Sequence, residues 1–369
     1  MSEIDNAELY TVAPDEVVVT FTTEPDVEVT TRVGAHTVTT TGPYHHARGE
    51  GLDADTTYDL AVGDAAPSDL CPVSVTTLPL PPGELRARFA TVNDVHFGEL
   101  VCGLLGSAEE LGPVFSVADG DTPYPEVMNR GAIAEIAAGD FDAVVVKGDL
   151  TAEGTEAEYE QFLAAYGALG ARMRHVRGNH DADKVDTIAT TGPFTVELPG
   201  ASLAVLDTVI PHQENGRVSS EQLAWLDELA AATSGPVLVF GHHHPWDPAS
   251  DERSARYFGI NPDDSDALCA VIAGHHNIAG YFAGHTHRNR TRHFATARGV
   301  PIVEVACVKD YPGAWAEYRV YDGGYVQIGR RISAPDAMHW TEQTRRMYAG
   351  LYRDYALGTL ADRCFTYSF

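Results

Sequence analysis

The chain has 369 residues, enough for two domains and a large core, and carries a formal charge of −28 from 53 acidic against 25 basic residues. Such a surface repels nucleic-acid phosphates and anionic lipids, and no run of 18 or more apolar residues offers a membrane span. Five widely spaced cysteines without a C-x-x-C pair argue against a disulfide framework, and an N-terminus without a basic, apolar leader fits a cytoplasmic location.

Residues 1–82 read as a small all-β sandwich. Short alternating segments at 17–22, 27–33, 37–40, 58–62 and 73–78 are separated by turn residues. Between them, Leu52, Thr56 and Tyr58 make an L-x-x-x-T-x-Y pattern. This is similar to the strand corner of fibronectin type III-like domains, where the tyrosine oxygen ties to backbone. The proline-rich stretch from Leu78 to Gly83 reads as a stiff linker.

From Phe89 onward the texture changes to strands alternating with helices, so residues 83–334 are expected to form an α/β domain. Helices are expected near 126–138, 153–169 and 219–232, the last opening at Ser219 and burying Trp225, Leu226 and Leu229. The Gly- and Pro-rich segment 99–129 is long for a loop and is expected to wall a substrate pocket. Strands are expected at 302–307, 315–320 and 325–328. Residues 335–369 read as an aromatic helical tail packing on the α/β domain, with a lid or a dimer contact as alternatives.

Five clusters of metal-ligand residue types punctuate this region. They are Asp94-Val95-His96, Gly148-Asp149, Gly178-Asn179-His180-Asp181, Gly241-His242-His243-His244-Pro245 and Gly284-His285-Thr286-His287. Each follows an apolar run that reads as a buried strand, and α/β sheets carry their ligands just past such strand ends. Imidazole, carboxylate and amide donors without thiolates suit Zn, Mn, Fe or Co. Seven ligands exceed one tetrahedral site but suit two ions sharing a carboxylate, for which Asp149 is the natural bridge. His175 reads as a strand residue behind the site, and His275 and His276 as structural. The Arg288, Arg290 and Arg292 cluster reads either as an attractor of anionic substrate or as a solvated strand edge.

The five blocks, in this order, resemble those of the calcineurin-like metallophosphoesterases over roughly residues 86–330. The resemblance implies a four-layer α/β/β/α sandwich and two divalent or mixed-valence metal ions. Asp94, His96 and His287 would hold the first ion, Asn179, His243 and His285 the second, and Asp149 both. His243 rests on a ligand two residues before a proline, here Pro245; His242 remains the alternative. His180 would face the leaving group, with Asp181 orienting its ring. A purple acid phosphatase-like Fe(III)–tyrosinate is not expected, because Asp149 is followed by Leu150-Thr151-Ala152 without the tyrosine that pattern needs.

The expected activity is hydrolysis of a small phosphodiester or phosphomonoester by in-line attack of a hydroxide held between the ions, with His180 protonating the departing oxygen. No nucleic-acid or membrane partner is expected. A nuclease or protein phosphatase of the same fold, or a non-catalytic scaffold carrying an interaction module, are the alternatives. Metal identity, substrate identity and oligomeric state stay open.

Overall fold

A computed structural model describes residues 3–104, 111–253 and 257–369. The first five strands are β1 (Glu3–Val12), β2 (Glu16–Val33), β3 (His36–Glu50), β4 (Thr57–Val62) and β5 (Ser74–Thr76). The long β2 pairs antiparallel with β1 through its first half, with β4 through its last residues and with β3 along its length. A register break between Thr22 and Val27 bends it, so one antiparallel sheet folds about its own core, which includes Val19, Phe21, Val33, Leu60 and Val75. Tyr58 holds a corner of this sheet, its phenolic oxygen accepting from the Asp53 N–H at 2.9 Å.

Next come β6 (Leu85–Val92), a short hairpin of β7 (Val101–Cys102) and β8 (Phe115–Ser116), α1 (Tyr124–Ala138), β9 (Ala143–Lys147), α2 (Glu156–Tyr166), β10 (Met173–Val176), β11 (Phe194–Leu198) and β12 (Ala201–Val205). Then follow α3 (Ser220–Ala232), β13 (Val237–Phe240), α4 (Pro262–Gly274), β14 (Ile278–Ala283), β15 (Arg290–His293), β16 (Pro301–Glu304), β17 (Ala314–Tyr321) and β18 (Gly324–Arg331). The chain finishes with α5 (Pro335–Thr344), α6 (Tyr352–Leu357), α7 (Leu360–Arg363) and β19 (Phe365–Ser368). Helix starts follow local chemistry. Thr155 and Glu158 close a capping box on α2, and Ser219 caps α3 by accepting from the Gln222 N–H.

Two six-stranded sheets result, ordered β10-β9-β6-β17-β18-β19 and β11-β12-β13-β14-β16-β15. Their inner faces meet in an aromatic core that includes Phe89, Phe240, Phe282, Tyr318 and Tyr325. Outside the first sheet, Met128, Ile136 and Phe162 of α1 and α2 pack on Val144 and Val146; outside the second, Leu226, Leu268 and Ile272 of α3 and α4 pack on Val237 and Val239. This is the expected four-layer α/β/β/α sandwich with an all-β region ahead of it. No helix among the described residues is long and apolar enough to cross a membrane.

The tail differs from its expectation. It does not end as a helix: Phe365–Ser368 adds as an antiparallel strand to β18. The reason is an open edge on the first sheet, which backbone pairing closes, while Phe365 and Tyr367 pack beside Tyr325. Arg288 and Arg292 likewise settle as strand-edge residues, both paired with the buried Glu304 at 2.8 and 3.3 Å.

Candidate metal centre

Strands β6, β9 and β10 run parallel in one sheet, and β13 and β14 in the other. Their C-terminal ends open on one edge of the sandwich, and each delivers a donor cluster there. The loops are tied together by backbone bonds. Asp94 N donates to the Gly148 carbonyl at 3.0 Å, His96 N to the Asp149 carbonyl at 2.9 Å, and Gly284 N to the His242 carbonyl at 3.0 Å.

Five of the donor residues, Asp94, His96, Asp149, His285 and His287, adopt φ between 47° and 68°. Left-handed backbone is uncommon outside glycine and is tolerated where surrounding structure imposes it, a pattern concentrated at functional sites. Each strand therefore ends in a tight reversal that turns its donor side chain back over the sheet edge.

The donors fall into two adjoining groups. Asp94, His96, Asp149 and His287 form one; His242, His243 and His285 form the other, beside Asn179. Asp149 faces both. Its Oδ2 is 3.5 Å from His96 Nε2, and its Oδ1 is 3.3 Å from His242 Nε2. Asp94 Oδ1 lies 3.6 Å from His287 Nε2. These separations are long for hydrogen bonds, but donors roughly 2.0–2.2 Å from a tetrahedral ion stand roughly 3.3–3.6 Å from each other. The Nε2 atoms of His96 and His285 are buried with no hydrogen-bond partner among the described residues. A buried nitrogen left in that condition is what a metal ligand requires, and the donor set fits two ions.

Electrostatics agree. Burial holds His96, His243 and His285 well below the ordinary imidazole value, so they present neutral lone pairs. Burial also opposes charge on His242, yet the Asp149 carboxylate outweighs it and pushes that ring up to about 9. A position that favours a proton between carboxylates favours a cation there too.

His242 and His243 both stand in the second group and differ in their partners. The His242 Nδ1–H meets the Lys147 carbonyl at 2.8 Å, leaving Nε2 aimed at Asn179 Oδ1, 3.1 Å away. His243 is engaged elsewhere, with Nδ1 2.8 Å from the Thr208 hydroxyl and Nε2 3.2 Å from the Glu214 carbonyl. Three consecutive histidines leave a strand in a turn, and distance to Pro245 does not tell which ring points inward.

Asp181 also differs from its expected role. Its oxygens accept from Gly178 N at 2.7 Å, Leu150 N at 3.0 Å, Thr151 N at 2.8 Å and the Thr151 hydroxyl at 2.7 Å. A carboxylate saturated by loop donors fixes the loop and leaves the His180 ring to other partners. That ring is held by the Ala152 carbonyl, 2.7 Å from Nδ1, while His180 N donates to Asp149 Oδ1 at 3.0 Å. Burial opposes charge on His180, but Asp149 and the Ala152 carbonyl raise it above its ordinary value.

His96, Asp149, Asn179, His285 and His287 line a cavity of about 790 Å³. Val101, Leu104 and Leu111, from the described part of the long loop, line one side; residues 105–110 of that loop lie outside the described residues. Phe258 stacks on His285 with ring centroids 4.1 Å apart, and the C-terminal segment supplies Tyr348, Leu351, Tyr352 and Tyr355. Glu99, Lys309 and Asp310 line it as well, and nothing in their spacing marked them in the sequence. His175 sits behind the site, its Nε2 bonded to the Tyr159 hydroxyl at 2.9 Å.

A two-sheet sandwich with two adjoining donor groups at its strand ends suits a metallohydrolase. Residues 87–289, more than half of the chain, match the Calcineurin-like phosphoesterase family. The chain belongs to that family and is a metal-dependent phosphoric ester hydrolase. It is 29% identical over 271 residues to a probable cyclic nucleotide phosphodiesterase of Rhodococcus erythropolis, covering 64% of this chain and 86% of the relative. It is 27% identical over 227 residues to the 3',5'-cyclic adenosine monophosphate phosphodiesterase CpdA of Escherichia coli K12, covering 58% and 74%. Among solved structures, a dimetal phosphatase from Danio rerio covers 67% of this chain and 97% of its own, at 17% identity and a TM-score of 0.49.

Proposed function

We propose that the protein hydrolyses a small organic phosphodiester at a dinuclear centre. Asp94, His96 and His287 would hold the first ion, Asn179, His242 and His285 the second, and Asp149 would serve both. The observation that carries this reading is the Asp149 carboxylate, split between two donor groups at the floor of a deep cavity. His243, which Pro245 favours in the sequence, is assigned to support His242 and the floor of the site.

When bound, the ions supply Lewis acidity toward phosphoryl oxygens and lower the pKa of water at the site. The chain supplies position and proton traffic. His180 is fixed by the Ala152 carbonyl at Nδ1, which leaves its Nε2 to serve the departing oxygen. Asp149 is steadied by the His180 N–H, and Asp94 by the His285 N–H at 3.0 Å. The aromatic and aliphatic wall offers apolar surface to the organic half of a small substrate. The relatives' names point to cyclic nucleotides as the first diesters to try.

The test is a panel of bis-aryl phosphate, cyclic nucleotides, glycerophosphodiesters and monoesters, with elemental analysis of the same preparation. Turnover of a diester by protein carrying two ions per chain supports the proposal. Failure on every member with both ions present overturns it.

A further inference from the structure

The two donor groups differ in what stands behind them. Behind the first, His96 Nδ1 lies 3.4 Å from Glu99 Oε2, and His287 Nδ1 lies 3.8 Å from Asp310 Oδ2. The second contact exceeds a hydrogen bond and acts through charge. The Lys309 ammonium sits between both carboxylates, 2.7 Å from Glu99 Oε1 and 3.6 Å from Asp310 Oδ2. Lys309 and Asp310 are buried, at 6% and 2% exposure, so these charges act in a poorly screened interior. Behind the second group the far nitrogens meet neutral partners instead, the Lys147 carbonyl at His242 and the Thr208 hydroxyl at His243.

The C-terminal segment takes hold of the same side. The Tyr352 hydroxyl donates to Asp310 Oδ1 at 2.6 Å, and Cys307 Sγ reaches the same oxygen at 2.8 Å. This makes Asp310 a caged carboxylate rather than the donor of a third ion. The Tyr355 hydroxyl donates to the Thr286 carbonyl, between His285 and His287, at 2.8 Å. Just beyond, Asn289 N donates to the Ala356 carbonyl at 3.0 Å. Helix α6 is thus bonded to the His285–His287 loop and to the carboxylate behind it.

We propose that Asp310, held by Tyr352 and Lys309, is a positioning residue for His287, and that α6 works as a strap that makes the first metal position the tighter of the two. This rests on the dinuclear reading. A carboxylate behind a ligating imidazole orients the ring and raises its basicity, and losing such a partner weakens metal binding by about 10- to 100-fold. Among the described residues, only the first group has carboxylates behind its imidazoles.

The experiment strips the purified protein with chelator and titrates it with Mn²⁺ by calorimetry, with elemental analysis after desalting. Wild type is expected to show two events, a tight and a weak one. Asp310→Asn and Tyr352→Phe should weaken the tight event by about 10- to 100-fold and leave the weak one in place. Tyr352→Phe removes only a hydroxyl, so it guards against an Asp310 variant that does not fold. Thermal melting of the metal-free variants separates positioning from general damage: a positioning role leaves the melt near wild type. Equal weakening of both events, or no change in either by Tyr352→Phe and Asp310→Asn, overturns the proposal. A wild-type chain that binds fewer than two ions overturns the dinuclear reading itself.

Discussion

Gly178 lies directly against Asp149, and a Cβ added at 178 would collide with the Asp149 carboxylate and its backbone nitrogen. Asp149, the proposed bridge, can reach both donor groups only because Gly178 has no side chain. Gly178→Ala is therefore expected to displace Asp149 and lower kcat by about 100-fold, the scale of a 1 Å misplacement. Both ions should be affected together, since the bridge serves both. Elemental analysis showing two ions retained, with unchanged turnover, would remove the argument.

His180 makes a different prediction. It contacts neither donor group through its ring nitrogens, which are engaged by the Ala152 carbonyl or left for the cavity. His180→Ala should leave metal content intact and reduce turnover of alkyl phosphodiesters by about 10²- to 10⁴-fold. Aryl diesters, whose leaving groups need little protonation, should suffer far less. Equal loss on both substrate types points to a structural role.

Stability should carry a specific acid limb. Burial alone would raise the Glu317 carboxyl, but Arg330, Arg319 and Arg88 outweigh it and hold the group down at about 2, against 4.5 when unfolded. A depressed folded value contributes stability above the unfolded value and loses it as pH falls through the folded one. The window is therefore about pH 4.5 to 2, and a shift of this size amounts to about 3 kcal/mol. Urea unfolding of Glu317→Gln against wild type should show a gap at pH 7 that closes as pH drops below 4.5. A gap that stays constant with pH would assign the loss to packing.

The N-terminal β region should not be removable. Glu8, 1% exposed, pairs with Arg331 at 3.3 Å and with Arg345, and accepts from the Tyr311 hydroxyl at 2.8 Å. Deleting residues 1–82 would remove one of the two carboxylates these guanidiniums share, leaving only Glu342 at 2.7 and 2.8 Å, and would open the buried Tyr311 hydroxyl; breaking a buried pair from one side costs up to about 3–5 kcal/mol. The truncated chain should lose its cooperative melt by circular dichroism. A sharp transition at the wild-type temperature would show a separable module instead.

How far the sequence could be read follows from what kind of signal each feature leaves. Asp94, His96, Asp149, Asn179, His285 and His287 follow apolar strand runs at short, fixed distances, so pattern and chemistry coincide. The strands that precede the clusters and the helices α1–α3 are legible for the same reason. Pro245 favours His243 over His242 in the sequence, whereas the partners that distinguish the two rings, the Lys147 carbonyl at His242 and the Thr208 hydroxyl at His243, are distant in the chain and leave no local trace. Glu99, Lys309, Asp310 and Tyr352 meet only in three dimensions, and no local spacing announces a contact between residues 310 and 352. Phe365, Tyr367 and Phe369 do alternate in the manner of a strand, but three residues directly after a helical stretch are too few for a period of two to stand out.

The placement of α6 and β19 has a consequence in time. A ribosome releases the chain from its N-terminal end, and domains begin folding as they emerge. Every proposed metal donor, from Asp94 to His287, leaves before Tyr352 and Tyr355, and the edge of the first sheet stays uncovered until Phe365–Ser368 follows. A growing chain would thus hold the whole donor set before it holds the strap and the sheet edge. Metal capture during synthesis, rather than after it, would meet a looser first position than the finished protein presents.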